Sequence, residues 1–300
     1  MEALFIGHAY IDITFLADTL PTGDEKTIAE DYAVAFGGNA TTAAFCAAKL
    51  GLKCDLLCQQ ADDWLARMFL DMASRYGISV HGRKVAESSL SFIMPSDGKR
   101  AIVRCRDAEF LHPYPALNLA GIRGLHVDGH MADAAIHYAR ECRERGVLTS
   151  LDGGSARAET DELLTAIDVA VVSERMCEQM QLNPLSMLDY LRARGVTVGA
   201  VTLGERGLVW YEGTGGEART MPARNVPAGE VVDTSGAGDV FHGAYFWSAL
   251  ERPELGWADH FDFARSASAY AVQHLGNEAS LPSLDDVTAM RARLPEAEAA

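Results

Sequence analysis

Val231-Val232-Asp233-Thr234-Ser235-Gly236-Ala237-Gly238-Asp239-Val240-Phe241 reads as an extended apolar pair, a glycine-rich turn and the start of a helix that continues through Leu250. The first N–H groups of a helix lack intrahelical partners, and the helix dipole places positive potential behind them. Such a junction binds an anion without a basic side chain. Asp239, in the first turn, fits two roles on spacing alone: a helix cap, or a general base beside the anion hole. No G-x-x-x-x-G-K-[ST] loop occurs. Phe241 occupies the third glycine position of a dinucleotide fingerprint, and the motif lies late in the chain, which weakens a nicotinamide oxidoreductase reading.

Outward from this junction, short apolar runs alternate with amphipathic segments. Leu4–Ile11 reads as a strand, and Asn39–Leu50 as a helix capped by Asn39 and closed by Gly51. Strand Leu56–Cys58 and helix Asp62–Tyr76 follow. Strands Leu125–Val127, Leu148–Asp152, Val169–Ser173 and Thr197–Leu203 then alternate with helices over Ala132–Arg145, near Asp161–Ile167 and near Leu185–Arg194. This rhythm predicts an α/β fold: a doubly wound, mainly parallel sheet with helices on both faces. Two β segments interrupt it, at about 14–35 and 88–106, the second a hairpin around Pro95-Ser96-Asp97-Gly98. They suit a small β-sheet lid over a cleft, inserted into one domain spanning 1–300. Arg291–Ala300 reads as a fraying helix end.

Composition restricts the partners. The 300 residues carry 26 Lys and Arg against 42 Asp and Glu, a net charge of −16, so nucleic acid and anionic membranes are disfavoured. An apolar fraction of 48% and a charged fraction of 23% are those of a packed globular chain. No run is long and apolar enough to span a bilayer, and the first residues lack the basic region of a secretion signal. The six cysteines form no C-x-x-C pair and sit mostly in apolar stretches, which points to a reduced, cytoplasmic protein. Zinc is not indicated, because Gly129 interrupts the His126/His130 pair and no H-E-x-x-H occurs.

A second glycine motif lies early, at Phe36-Gly37-Gly38-Asn39-Ala40, again between an extended stretch and a helix. Paired glycines allow close approach to the backbone, and an Asn amide serves hydroxyls as donor and acceptor. Asp12 follows the first strand, at the sheet edge where α/β folds place ligands.

The early Gly37-Gly38-Asn39-Ala40 and the late Asp233-Thr234-Ser235-Gly236-Ala237-Gly238-Asp239 together resemble the two signatures of the ribokinase-like, or PfkB-type, carbohydrate kinases. The resemblance spans nearly the whole chain. It implies a doubly wound domain with a β lid, transferring the γ-phosphate of ATP to a hydroxyl of a sugar, nucleoside or related molecule with Mg²⁺. By position, Asp239 resembles the catalytic base, and Gly236, Ala237 and Gly238 the amides that hold the transferring phosphoryl. Asp12, Gly38 and Asn39 match substrate-hydroxyl positions. Thr202-Leu203-Gly204 and Gly207 resemble the turn along the nucleotide. Leu275 through Pro282, with Asn277, resembles the loop bordering adenine, and with Asp233 and Ser235 a monovalent-cation site for K⁺.

Where many members carry Asn-x-x-Glu for the magnesium network, this chain has Ser173-Glu174-Arg175-Met176, leaving Glu174 or Glu178 as substitutes. Gly-Gly-Asn-Ala is closer to ketohexokinase-like and some sulfosugar-kinase-like branches. Arg100 matches a lid arginine that touches substrate or phosphate in ketohexokinase-like members, and Arg104 and Arg106 follow on the same face. Arginines over a cleft suit either an anionic substrate or a solvated lid surface. The expected activity is phosphorylation of a ketohexose or ribose-like sugar. A nucleoside kinase would need an aromatic platform such as Tyr32 or Phe92, and a non-catalytic sugar-binding regulator would not need Asp239. Pairing of lid sheets suggests a homodimer.

Overall fold

The computed structural model describes residues 1–17, 23–96 and 99–296, with the side chains of 96–100 outside that description. The chain begins with β1 (Ala3–Ile6), β2 (Tyr10–Leu16), β3 (Asp31–Gly37), α1 (Asn39–Lys49) and β4 (Cys54–Gln60). Next come α2 (Trp64–Arg75), β5 (Ser79–Lys84), β6 (Leu90–Ser96) and β7 (Lys99–Cys105). The middle of the chain forms β8 (Gly124–Val127), α3 (Ala132–Glu144), β9 (Leu148–Gly153), α4 (Thr160–Leu164) and β10 (Val169–Ser173). After α5 (Glu174–Gln179) and α6 (Pro184–Ala193) come β11 (Val198–Thr202), β12 (Leu208–Glu212) and β13 (Arg219–Met221). Helices α7 (Ala237–Glu251), α8 (Trp257–Ala271) and α9 (Leu284–Arg293) complete it.

Nine strands form one sheet in the order β13-β12-β11-β10-β9-β8-β1-β4-β5. All neighbours are parallel except those made by β12. Its inner strands are continuous apolar runs, as strands covered on both faces must be; Val169–Val172 of β10 are all buried. One hydrophobic cluster packs α1, α7 and α8 on one face, and a second packs α3 and α6 on the other. The doubly wound expectation holds. Strands β5 and β13 are short or half-exposed and carry no strong apolar signal; the sequence reading leaves them out, together with the apolar β12.

A separate four-stranded sheet, β3-β2-β6-β7, is the lid. The expected strand over Leu4–Ile11 is in fact two. Chain direction changes at Gly7-His8-Ala9, where a Cβ on Gly7 would lie 2.2 Å from Asp128 Oδ2. Asp128 Oδ2 accepts from the amides of His8 and Ala40, both at 3.3 Å, which ties the end of β1 to the start of α1. The first lid segment therefore extends from Tyr10 to Gly37, wider than 14–35. The hairpin appears as β6 and β7, with its Asp97-Gly98 turn outside the described residues. At the other end, α9 stops at Arg293 and Glu296 pairs with Arg224, so the chain does not simply fray there; 297–300 lie outside the described residues.

Register sorts the lid's two faces. Asp12 is opposite Ser91, and Ser91 opposite Arg104, so these three share a face. Phe15 is opposite Tyr32, and Ile13 opposite Phe92, which is opposite Val103; these lie on the other face.

The glycine pair before α1 is fixed by packing. Gly38 has φ 103°, and a Cβ there would lie 1.9 Å from the His8 carbonyl. Gly77 also has a positive φ, 66°, but opens onto free space. Gly77→Ala is expected to cost about 1 kcal/mol, the penalty of the left-handed conformation alone. Gly38→Ala is expected to cost at least ~3 kcal/mol, since backbone must also move. Urea unfolding of both variants tests this; equal losses would contradict it.

Candidate active site

The lid meets the large sheet at the carboxyl ends of β1, β8 and β9, where the strand-end rule places ligands. Asp12, on lid strand β2, is buried. Its Oδ2 accepts from Asn277 Nδ2 at 3.1 Å, while Oδ1 has no partner. Burial raises its pKa above the ordinary carboxylate value, with Arg104 opposing that rise. A Cβ on Gly37 would lie 2.0 Å from Asp12 Oδ2, so the first glycine makes room for this carboxylate.

Asn39 does not cap α1; Gly38 holds the N-cap position. The Asn39 amide instead donates to Asp152 Oδ2 at 3.1 Å, leaving the carboxamide in the cleft beside Gly154. Asp152, at the end of β9, was missed in sequence, as was Asp128 at the end of β8. Each is an Asp followed by Gly at a strand's carboxyl end, the kind of position at which the sequence reading placed Asp12.

These carboxylates have different environments. Burial pushes the Asp152 pKa up to about 7, and the nearby Asp128 charge adds to the rise. Burial would raise Asp128 too, but His130 and the amides it binds hold it well below the usual range. His130 Nδ1 lies 3.1 Å from Asp128 Oδ1, and His130 Nε2 lies 2.6 Å from Arg157 Nη2. Behind Asp152, His242 Nε2 approaches Oδ1 at 3.5 Å, and burial lowers the His242 pKa to about 3. His126, Asp152 and His242 have ligand-capable atoms within 4.8 Å of one another. Hydroxyls of Ser150 and Tyr245 take the two Nδ1 atoms, at 3.0 and 3.1 Å, so the group is knitted into the core.

On the opposite wall, Gly236 adopts the left-handed conformation at φ 72° as the N-cap of α7. Gly236 makes no side-chain cap bond at the start of this helix. Gly238 is exposed, with open space where a Cβ would stand. Asp239 follows in the first turn, half-buried. His242 lies one turn further along the same helix, so α7 carries both the anion-hole turn and the group behind Asp152.

Asn277, expected beside the nucleotide, is buried and faces inward. Its Nδ2 donates to Asp12 Oδ2 and to the Phe36 carbonyl at 2.8 Å, and its unpartnered Oδ1 lies 2.3 Å from a notional Gly236 Cβ. Asp233 is buried, accepting from Ser235 N at 2.8 Å and Gly276 N at 3.2 Å. Ser235 Oγ is buried without a partner. Thr202 ends β11, and Gly204 opens the following turn. Gly207 (φ 88°) lies where a Cβ would be 2.1 Å from the Met221 carbonyl, so packing on β13 accounts for it. Both Glu174 oxygens accept from Arg206 at 2.6 Å, so this carboxylate is engaged rather than offered to a metal. Ser173 caps α5. Arg100 lies on β7, but its side chain falls outside the described residues.

The sequence matches the pfkB family of carbohydrate kinases over residues 2–284. The chain belongs to that family. It is 36% identical to Staphylococcus aureus ribokinase over 152 residues, a match spanning 48% of each chain. Similarity to mouse ribokinase extends over 94% of this chain and 92% of that one, at 24% identity. A crystal structure of a candidate ribokinase from Agrobacterium tumefaciens superposes with a TM-score of 0.88 at 26% identity, covering 97% of each chain. The protein is a carbohydrate kinase of this family with the ribokinase fold. These relatives carry the ribokinase name; none of them supports the ketohexokinase-like branch over others. No helix among the described residues is long and apolar enough to cross a membrane.

Asp152 generates a pH prediction. Its folded pKa is raised, so between about 4 and about 7 the folded state holds a proton that the unfolded chain has released. Its contribution to stability is present below the unfolded pKa and is lost as pH rises toward 7. Asp152→Asn removes this loss, so the variant's stability relative to wild type should improve steadily from pH 4.5 to pH 7.5 in urea titrations. A difference independent of pH would contradict it.

Proposed function

We propose that the protein transfers the γ-phosphate of ATP to a hydroxyl of a furanose-forming sugar, of ribose or ketohexose type, with Asp239 as general base. The carrying observation is the uncapped α7 start beside a first-turn carboxylate, facing buried hydroxyl-binding groups across one cleft. Phosphoryl transfer needs positioning and charge stabilisation more than covalent chemistry. The amides of Gly236, Ala237 and Gly238 would hold charge developing on the phosphoryl, with the helix dipole aligned behind them.

The free Asp12 Oδ1 and the Asn39 carboxamide would orient the sugar hydroxyls, and Gly38 would bring backbone close to them. Asp239 would take the proton of the attacking hydroxyl as its oxygen bonds to phosphorus and ADP leaves. Thr202, Gly204 and Gly207 would border the nucleotide, with Asn277 supporting the cleft from behind. Mg²⁺ would arrive on the triphosphate, a mode that needs few protein ligands. With Glu174 held by Arg206, direct ligation by that residue would require opening the pair. The buried Asp233 carboxylate and orphaned Ser235 Oγ fit a monovalent cation such as K⁺.

A sugar is favoured over a nucleoside by lid register. Tyr32 and Phe92, the aromatic groups a base would stack on, share the face away from Asp12. That outer face also carries Val103, and its exposed apolar groups support pairing of lids in a homodimer. The reduced cysteines support a cytoplasmic setting.

Asp239→Asn is expected to lower kcat by roughly 10²- to 10⁴-fold, the range for loss of a general base, while sugar affinity stays within about threefold. Coupled ADP-release assays with wild type and variant measure this; near-wild-type turnover would overturn the assignment.

A further inference from the structure

The cleft holds arginines that the sugar-kinase reading does not use. The chain has 42 acidic residues for 26 basic ones, and most of its arginines are in ion pairs. Yet among the described residues no ion pair involves Arg104, Arg106 or Arg157. Arg157 lies past the end of β9, in the crevice formed with Asp128, Gly129, Asp152 and Ser155. It is half-buried, its Nε is buried without a partner, and Nη2 lies 2.6 Å from His130 Nε2. Asp128, Asp152 and Glu159 line the same crevice, yet no ion pair joins any of them to Arg157, and Asp128 is already committed to the His8, Ala40 and His130 amides. A guanidinium withdrawn from water without a carboxylate partner is costly, particularly where acids are in excess.

The lid supplies matching charge. Arg104 is stacked on the Tyr10 ring at 5.0 Å and shares a lid face with Asp12. Burial raises the Tyr10 pKa, and Arg104 and Arg106 both oppose that rise. His8, whose ring lies 4.7 Å from Tyr10 and 5.7 Å from His130, feels both Arg106 and Arg157, each opposing its protonation. Arg157, through His130, and Arg104, through Tyr10, thus both adjoin the ring of His8. The anion hole of α7 serves the other wall, so these arginines are not needed for the transferring phosphoryl.

We propose that Arg157, with Arg106 and Arg104, forms an anion subsite, and that the physiological substrate is a sugar bearing one carboxylate, phosphate or sulfonate group. This rests on the sugar-kinase reading and narrows it to acidic sugars. His130, braced by Asp128, orients Arg157, and lid closure brings Arg106 onto the same group. Arg100 precedes them on β7.

Matched pairs test this by calorimetric binding and ADP release: D-ribose with its 5-phosphate, and D-fructose with its 6-phosphate, its 6-deoxy-6-sulfonate and 2-keto-D-gluconate. At least one acidic member should bind roughly 10- to 100-fold tighter than its neutral parent, the factor a charge-assisted hydrogen bond supplies. In Arg157→Gln that ratio should collapse to near one, whereas Arg157→Lys should retain part of it. Arg106→Gln, on an exposed lid residue, should lower the ratio without endangering the fold. Neutral parents that bind and react at least as well in every pair would overturn the inference while leaving the kinase reading intact. An Arg157→Gln effect on ATP affinity in place of the sugar ratio would also overturn it. Binding with the expected ratio but no ADP release from any sugar would uphold the subsite and overturn the kinase reading.

Discussion

The buried carboxamide of Asn277 is the interaction on which the rest of the site depends. Its Nδ2 holds Asp12 on the lid and the Phe36 carbonyl ahead of the glycine pair, while its Oδ1 presses against Gly236. The wall that carries Asp12 and the Gly236 turn are thereby joined through a single side chain inside the protein. Glycine at 236 follows from this contact as much as from the left-handed turn. Asp12 and Phe36 are buried, so neither exchanges its bond for water without cost.

Electrostatics within the cleft follow from environment rather than from the net charge of −16. Three aspartates of the cleft have three characters. Asp128 is held ionised by amides and His130, Asp152 is raised by burial, and Asp12 keeps one oxygen free. Asp128 acts as a structural anchor, joining β1, α1 and the segment after β8. The acidic surplus elsewhere makes unpaired arginines in the cleft all the more conspicuous, since carboxylate partners are abundant everywhere else.

Much of this was legible in the sequence. The apolar strands Val169–Ser173 and Leu148–Asp152, and the helices ended by Gly77 and Gly146, follow from periodicity and stop signals. The two glycine motifs fall at the starts of α1 and α7. What remained hidden was tertiary. Nothing local marks the turn at Gly7-His8-Ala9, which exists because Asp128, 120 residues away, binds the His8 amide. Asn39 looks like a cap until Asp152, 113 residues away, takes its amide. Arg157 reads as an ordinary polar loop residue, and only the fold reveals that it has no carboxylate partner in a cleft.

Steady-state kinetics of Asn277→Ala test the central claim, that the two walls form one structure, most directly. With the carboxamide gone, both Asp12 and Gly236 lose their brace. The account predicts that kcat falls and that KM for the sugar rises by roughly 10-fold or more, the cost of leaving buried polar partners unpaired. An increase confined to the KM for ATP, with sugar KM and kcat at wild-type values, would contradict it.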